Sequence, residues 1–252
     1  MRRPSSPYVS SFSFGPGPIS TAIKALIGAN VLMFLVLAFL PAEMKHAATD
    51  ALGLVPLRVL HWLWAWQLVT YMFLHGGIFH LVFNMLALWM FGAELERRWG
   101  TRYFLKFYFV TGVGAGALTV LFSLLPFDFA QSLQGSNIIG ASGAIYGLLL
   151  AYALYFPDRP IYMYFVFPIP AKTFVAIMGA IALFSSLSEP GGVANATHLG
   201  GLLVAYLFLK GARIHPISEL KYRYLKWKIN RVRKKFDVYS GGRANDYDRR
   251  VH

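Results

Sequence analysis

The chain has 252 residues, of which 56% are hydrophobic and 14% are charged, and it contains no cysteine. Average soluble domains carry about 25% charged residues, so this composition indicates a single integral membrane domain with tails, and the lack of cysteine excludes disulfides, thiolate metal sites and a cysteine nucleophile. More than half of the 24 Lys and Arg residues lie in 210–252, so most of the formal net charge of +13 belongs to a tail and is not a nucleic-acid signature.

Six apolar runs predict six transmembrane helices, because about 20 apolar residues are needed to cross a bilayer. The runs cover residues 19–40, 78–95, 103–125, 138–156, 173–187 and 194–209, of which the last two are short unless they include flanking residues. The first run is longer than the apolar core of a signal peptide and is followed by no small-residue cleavage site, so we expect it to remain in the chain. The predicted fold class is an all-α integral membrane protein.

The distribution of basic residues predicts the orientation of these spans, because Lys and Arg concentrate in cytoplasmic loops. One side of the membrane receives only Lys45 and Arg58. The other side receives Arg2, Arg3, Arg97, Arg98, Arg102, Arg159, Lys172 and the basic tail. We therefore predict a cytoplasmic segment 1–18, a six-helix domain 19–210 and a cytoplasmic tail 211–252, in a cell membrane of bacterial inner-membrane type. Spans two, four and six then begin at the outer face.

Two connections have unusual compositions. Residues 41–77 contain Trp62, Trp64 and Trp66. Aromatic rings of this kind favour the headgroup level, so we expect a loop that is partly embedded in the outer leaflet. Residues 161–170 contain Pro168 and Pro170, which disfavour a helix, and we expect this segment along the inner interface.

Polar side chains recur near the outer ends of spans two, four and six. His80 and Asn84 are four residues apart and share one helix face, and His75 precedes them. His198 lies about one turn into span six, and Ser142 lies at a similar position in span four. Ionisable residues inside spans are costly and usually mark function.

A serine beside a histidine can act as a nucleophile, since the imidazole takes the hydroxyl proton during attack. Gly143, Gly147, Gly200 and Gly201 would let these spans approach closely. No Asp or Glu lies at matching depth, which favours a Ser142–His198 dyad. The free amides at the start of span four, with His80 and Asn84, could bind the oxyanion.

Simpler interpretations stay open for each residue alone. Ser142 could be a packing serine, and His75 or Asn84 could hydrogen-bond a neighbouring helix. Three histidines could bind a metal, but the spans offer no carboxylate partner, so we predict neither a metal nor another cofactor.

Three separated motifs resemble those of the rhomboid intramembrane serine proteases. They are His75-x4-His80-x3-Asn84, Gly140-Ala141-Ser142-Gly143 followed by Tyr146, and His198-x-x-Gly201. The resemblance implies a six-helix rhomboid-like bundle with Ser142 as nucleophile and His198 as general base. It further implies that His80, Asn84 and the Ser142 amide bind the oxyanion, that Gly140 shapes this site, and that Tyr146 packs against His198.

The resemblance also implies a structural role for Glu96 and Arg98 and identifies two departures. Gln67 stands where many relatives have Arg, and Thr197 stands where Ala is usual. The implied substrates are single-span membrane proteins cut near the outer end. We expect access between spans two and five under loop 188–194, so that a cross-link between these spans would slow turnover.

The tail predicts a membrane-surface helix. Leu225, Ile229, Val232 and Phe236 recur at helical spacing among basic residues, which favours a helix on anionic lipid over a solvated tail or a nucleic-acid contact. The oligomeric state is left open by the sequence.

The function predicted is an intramembrane serine endopeptidase. One alternative is a catalytically inactive rhomboid-like binding or quality-control protein, although such relatives typically lack Ser or His. A small transporter is a further alternative, but no inverted repeat or pair of broken spans recommends it.

Overall fold

A computed structural model describes residues 17–163, 167–188, 193–213, 224–229 and 231. Contacts divide the chain into two units, Met1–Leu209 and Lys210–His252, which are treated separately. Part of the predicted access loop, 189–192, and most of the predicted tail helix lie outside the described residues. The predicted domain limits therefore stay predictions.

Helices make up most of the described chain. In chain order they are α1 (Thr21–Phe39), α2 (Ala42–Leu52), α3 (Pro56–Trp62), α4 (Gln67–Thr70), α5 (Ile78–Ala87), α6 (Ala93–Trp99), α7 (Thr101–Phe122), α8 (Asp128–Ser132), α9 (Ser142–Tyr155), α10 (Ala171–Ser188) and α11 (Val193–Arg213). A 3₁₀ turn, Tyr71–Phe73, follows α4, and a π-helical turn, Leu88–Gly92, joins α5 to α6.

Within the described residues, three helices are long and apolar enough to cross a membrane: α1, the continuous stretch Ile78–Trp99 and α7. The apolar helices Ser142–Tyr155 and Ala171–Ser186 are shorter. The first of these has 14 residues, which gives a length of about 21 Å against a hydrocarbon core of about 30 Å. The all-α membrane bundle is confirmed, while the count of six spans stays a prediction.

The fourth predicted span is helical over only part of its length. Residues 138–141 precede the helix, which begins at Ser142. Ile138 instead pairs with Leu54 through two backbone hydrogen bonds of 2.9 Å. Gly140 has φ +128°, a conformation that a helix cannot contain. Ser142 is therefore the first residue of its helix, and this start is set by tertiary pairing.

The connection between α1 and α5 is folded and is not an open loop. Its organiser is Gln67, which is fully buried. The Gln67 amide accepts a hydrogen bond from the Val55 amide at 3.0 Å and donates to the Asp50 and Ala51 carbonyls at 3.2 and 3.3 Å. Trp64 stacks on Trp66 with ring centroids 5.1 Å apart, and Trp62 is 61% exposed. Embedding of this segment in a leaflet stays a prediction.

At the opposite end of the bundle, Glu96 is buried and ties three helices together. Its carboxylate accepts hydrogen bonds from Ser20, which also caps α1, and from Thr101, which begins α7. The Arg98 guanidinium lies 4.9 Å from the centre of the Tyr155 ring, at the end of α9. These contacts agree with the structural role expected for Glu96 and Arg98.

The proline-rich segment after α9 forms a small antiparallel ribbon. Strand β1 (Pro160–Met163) pairs with β2 (Phe167–Pro170), with Pro160 opposite Pro170. The sequence disfavoured a helix here but did not predict these strands. Proline lacks an amide proton, which suits the end of a two-stranded ribbon better than a central strand.

Replacing Gln67 with Leu tests whether this amide holds the connection together. The variant leaves the buried Val55 amide without its acceptor, so we expect the free energy of unfolding to fall by about 1–3 kcal/mol. The measurement is thermal unfolding in detergent. Gln131→Leu, an exposed position on α8, is the control, and equal unfolding temperatures for the two variants would contradict this role.

Candidate active site

Ser142 and His198 lie in direct hydrogen-bonding contact. The Ser142 Oγ is 2.8 Å from the His198 Nε2, although the two residues are 56 positions apart in the chain. Both side chains are partly buried. The fold thus brings together Ser142, the first residue of α9, and His198, in the first two turns of α11.

Tyr146 covers one face of the histidine ring. The two rings stack with centroids 4.2 Å apart and planes inclined by 5°. The other ring nitrogen, Nδ1, is buried and has no hydrogen-bond partner among the described residues. The pair is therefore a dyad within the described chain, because no carboxylate holds the imidazole from behind.

Glycines, which have no side chain, allow α9 and α11 to approach each other closely. A Cβ placed on Gly201 would lie 2.9 Å from the carbonyl carbon of Gly143 and closer still to its oxygen. A Cβ on Gly143 would in turn lie 2.9 Å from the Ala115 Cβ in α7. A larger residue at Gly201 would push α11 away from α9, and one at Gly143 would push α9 away from α7, so these small residues bring Ser142 within reach of His198.

Gly140 shapes the space in front of Ser142. Its φ of +128° strains any residue with a side chain. A Cβ at this position would lie 2.7 Å from the His80 Nε2 and 3.6 Å from the Ser142 Oγ. The Gly140 amide donates to the Tyr71 carbonyl at 2.9 Å, so this amide is engaged and Gly140 serves the site through its shape.

The remaining oxyanion candidates differ in readiness. The Ser142 amide is at the first position of α9, where helix geometry provides no intrahelical acceptor. The His80 imidazole faces Gly140, as the distances above require. The Asn84 side chain is buried, and its amide donates to the His80 carbonyl of its own helix at 2.9 Å. One N–H of this amide is therefore engaged, and the second is left to donate.

His75 lies behind His80 and away from the dyad. The two rings meet edge to face with centroids 4.9 Å apart. Burial, together with the nearby His80, lowers the pKa of His75 to about 4, so its ring is neutral at physiological pH. A cavity of about 230 Å³, with polar walls from Lys45, His46 and Asp50, adjoins His75. His75 thus lies next to the site and packs against His80.

Two further contacts were not predicted from the sequence. The Tyr71 hydroxyl donates a hydrogen bond to the Gly112 carbonyl in α7 at 2.7 Å. This bond anchors Tyr71, whose own carbonyl accepts the hydrogen bond from the Gly140 amide. The Thr197 hydroxyl lies 3.0 Å from the Thr119 hydroxyl in α7. Thr197 was visible in the sequence only as a departure from Ala, while Tyr71 carried no sequence signal.

The described residues contain no group of three His, Cys, Asp or Glu side chains placed to hold a metal ion. What the site offers is a hydroxyl, an imidazole that can exchange a proton with it, and donors at a helix start. This set suits acyl transfer, in which a nucleophile, a base and an oxyanion site are required.

Comparison with known proteins adds the family. The family model described as Rhomboid domain matches residues 63–212. The chain is 28% identical over 182 residues to RHOMBOID-like protein 2 of Arabidopsis thaliana, covering 72% of this chain and 52% of the relative. It is 34% identical over 138 residues to Rhomboid protease GluP of Bacillus subtilis, covering 55% and 24%.

A third relative, Rhomboid protease GlpG of Yersinia pestis, is 26% identical over 200 residues, which cover 79% of this chain and 64% of the relative. The chain thus spans about half of the plant relative and less than two thirds of the other two. The matched region contains all three motifs that surround Ser142. The chain belongs to the rhomboid family, which includes serine intramembrane proteases.

Proposed function

We propose that this membrane protein is an intramembrane serine endopeptidase in which Ser142 is the nucleophile and His198 is the general base. The observation that carries the proposal is the 2.8 Å contact between the Ser142 Oγ and the His198 Nε2. A hydroxyl is a weak nucleophile unless a base takes its proton, and this contact supplies the base. Two of the relatives are named as rhomboid proteases.

The chemistry is acyl transfer in two halves. The Ser142 Oγ attacks the scissile carbonyl carbon while the His198 Nε2 takes the hydroxyl proton. The C–N bond then breaks, and His198 returns that proton to the leaving amine. Water next attacks the ester and gives a proton to His198, which passes it to the Ser142 Oγ as the C–O bond breaks. The dyad leaves the cycle unchanged.

The oxyanion of each tetrahedral intermediate lies between the start of α9 and α5. The Ser142 amide points at it along the α9 axis, where the positive end of the helix dipole adds to the attraction. His80 donates from the side that Gly140 leaves open, and Asn84 donates through the amide N–H that the His80 carbonyl does not engage.

The substrates we propose are transmembrane proteins with a single span. A carbonyl inside a transmembrane helix is hydrogen-bonded and shielded, so the scissile segment must leave its helix before Ser142 can attack. Segments containing Gly, Pro or Ser therefore make better substrates. We place the protein in a cell membrane, of the bacterial inner-membrane type, with cytoplasmic termini and with Ser142 towards the outer face.

Neither alternative accounts for the dyad equally well. An inactive binding protein does not require a serine at a helix start in hydrogen-bonding contact with an imidazole. A transporter needs a substrate path through the bundle, whereas α7, α9 and α11 are packed closely beside the dyad. The protease is therefore the function that the site supports best.

We propose, separately, that the basic tail binds anionic lipid. Residues 224–229 are helical. They expose Tyr224, Leu225, Trp227 and Ile229 by 45–60% each. The Arg231 guanidinium lies 4.9 Å from the centre of the Trp227 ring, so apolar and cationic groups occur together. Such a surface suits an interface with anionic headgroups.

Removing either member of the dyad should abolish proteolysis. We expect Ser142→Ala and His198→Ala each to lower kcat by on the order of 10⁴-fold or more, because nucleophile and base act as a unit. The measurement is cleavage of a single-span reporter by purified protein, with Ser136→Ala as the control. Wild-type rates for Ser142→Ala, or no cut by wild type across several helix-destabilised reporters, would overturn the protease.

Adding one methyl group at Gly140 should impair catalysis. A Cβ there meets the His80 Nε2 and forces the strained φ, so we expect kcat of Gly140→Ala to fall by up to about 10²-fold. Gly135→Ala is the matched control, since a Cβ at Gly135 meets nothing within 4 Å. Reporter cleavage gives kcat, and equal activity of the two variants would contradict the role of Gly140.

Anionic lipid should shield the tail. In nanodiscs that contain phosphatidylglycerol, we expect chymotrypsin to cut after Tyr224 and Trp227 more slowly than in neutral discs. At 1 M salt the Debye length falls to about 3 Å, so the electrostatic attraction between tail and lipid is screened and the difference in cleavage rate should disappear. The variant Lys226→Gln, Lys228→Gln, Arg231→Gln should weaken protection, because each cation near the surface contributes about 1 kcal/mol. Equal cleavage in both lipids at low salt would refute lipid binding.

A further inference from the structure

The orientation of His198 needs a source other than a carboxylate. In a catalytic triad the third residue holds the imidazole in place. Here the Nδ1 of His198 has no partner among the described residues, while the Nε2 meets the Ser142 Oγ and the ring stacks on the flat face of Tyr146. Stacking of two parallel rings permits sliding, so the position of the imidazole depends on how α11 itself is held.

The glycine contacts of α11 fix its distance from the bundle but not its rotation. Gly200 lies against the Ala115 carbonyl of α7, and Gly201 lies against the Gly143 carbonyl of α9. Glycine has no side chain that could interlock here. The side-chain packing of α11 on α7, Val204 over Gly114 and Phe208 against Tyr103 and Phe107, lies six and ten residues beyond His198. A helical side chain reaches about 5–6 Å from the helix axis, so a rotation of about 20° moves its end by about 2 Å. Such a rotation would break the bond between His198 and Ser142.

Thr197 supplies a directional contact at this point. It directly precedes His198, is 2% exposed, and places its hydroxyl oxygen 3.0 Å from that of Thr119 in α7. Thr119 is itself 1% exposed and bonds the Ala115 carbonyl at 2.9 Å. The Thr197 methyl lies 3.3 Å from where a Cβ on Gly143 would be. One side chain therefore meets α7 and α9 beside the general base.

We propose that Thr119 and Thr197 are positioning residues whose hydroxyl contact sets the rotation of α11 and holds the His198 imidazole in line with Ser142. The inference rests on the proposed function, since it assigns Thr197 a task in the same reaction. It also gives a physical reason for a threonine at the position before the histidine. Neither threonine touches the reacting atoms, so both act through the placement of His198.

The test uses variants that change the hydroxyl or the methyl alone. Thr197→Val and Thr119→Val keep the shape and remove the hydroxyl, whereas Thr197→Ser keeps the hydroxyl. Interhelical hydrogen bonds in membranes predict that each Val variant loses between about 3-fold and 15-fold in kcat. KM should be unchanged, because no substrate contact is removed. The double Val variant should be no slower than the slower single variant.

Thr111→Val is the matched control. Thr111 is also fully buried on α7, and its hydroxyl donates to the Phe107 and Tyr108 carbonyls of its own helix. We expect this variant and Thr197→Ser to retain wild-type kcat. Wild-type kcat in Thr197→Val, or an equal loss of kcat in Thr111→Val, would overturn the positioning role.

Crystal structures of wild type and Thr197→Val separate this inference from the proposed function. We expect the His198 Nε2 to leave hydrogen-bonding distance of the Ser142 Oγ in the variant. A wild type that cuts no reporter, with the ring displaced in Thr197→Val, would refute the protease and leave the positioning intact. An undisplaced ring would overturn the positioning whether or not the wild type is active.

Discussion

The close approach of α11 to α9 is the constraint on which the rest of the site depends. In a bilayer, lipid tails are as apolar as leucine, so burial of apolar surface does not drive helices together, and contact depends on small residues. Gly201 lies against the backbone of Gly143, with no room for a Cβ. This contact lets a short hydroxyl and an imidazole meet at 2.8 Å.

A second dependence runs through the folded connection before α5. Buried backbone polar groups need hydrogen-bond partners within the protein. Gln67 satisfies three of them, Leu54 pairs with Ile138, and the Tyr71 carbonyl receives the Gly140 amide. Together these bonds hold the residues before Ser142 outside the helix, so that α9 begins at Ser142.

The proposed mechanism uses a serine and a histidine without a carboxylate, which suits this environment. A buried carboxylate without full hydrogen bonding would cost several kcal/mol, and a third catalytic residue at membrane depth would carry that cost in every state of the cycle. In this proposal Tyr146 and the placement of α11 orient the imidazole. An imidazole held by packing has a geometry that is sensitive to helix rotation.

The sequence alone determined the membrane class and the family, and it singled out Ser142 and His198 as a candidate pair, because hydropathy and motif spacing are local properties of the chain. It also anticipated the glycines beside them and the stacking of Tyr146 on His198. It did not determine where α9 begins, because Ile138 is drawn out of the helix by Leu54, 84 residues earlier in the chain. Nor did it reveal the engaged amide of Asn84, the Tyr71 anchor or the pairing of Thr119 with Thr197. Those contacts join residues far apart in the chain, and only the packing of the helices decides which side chains meet.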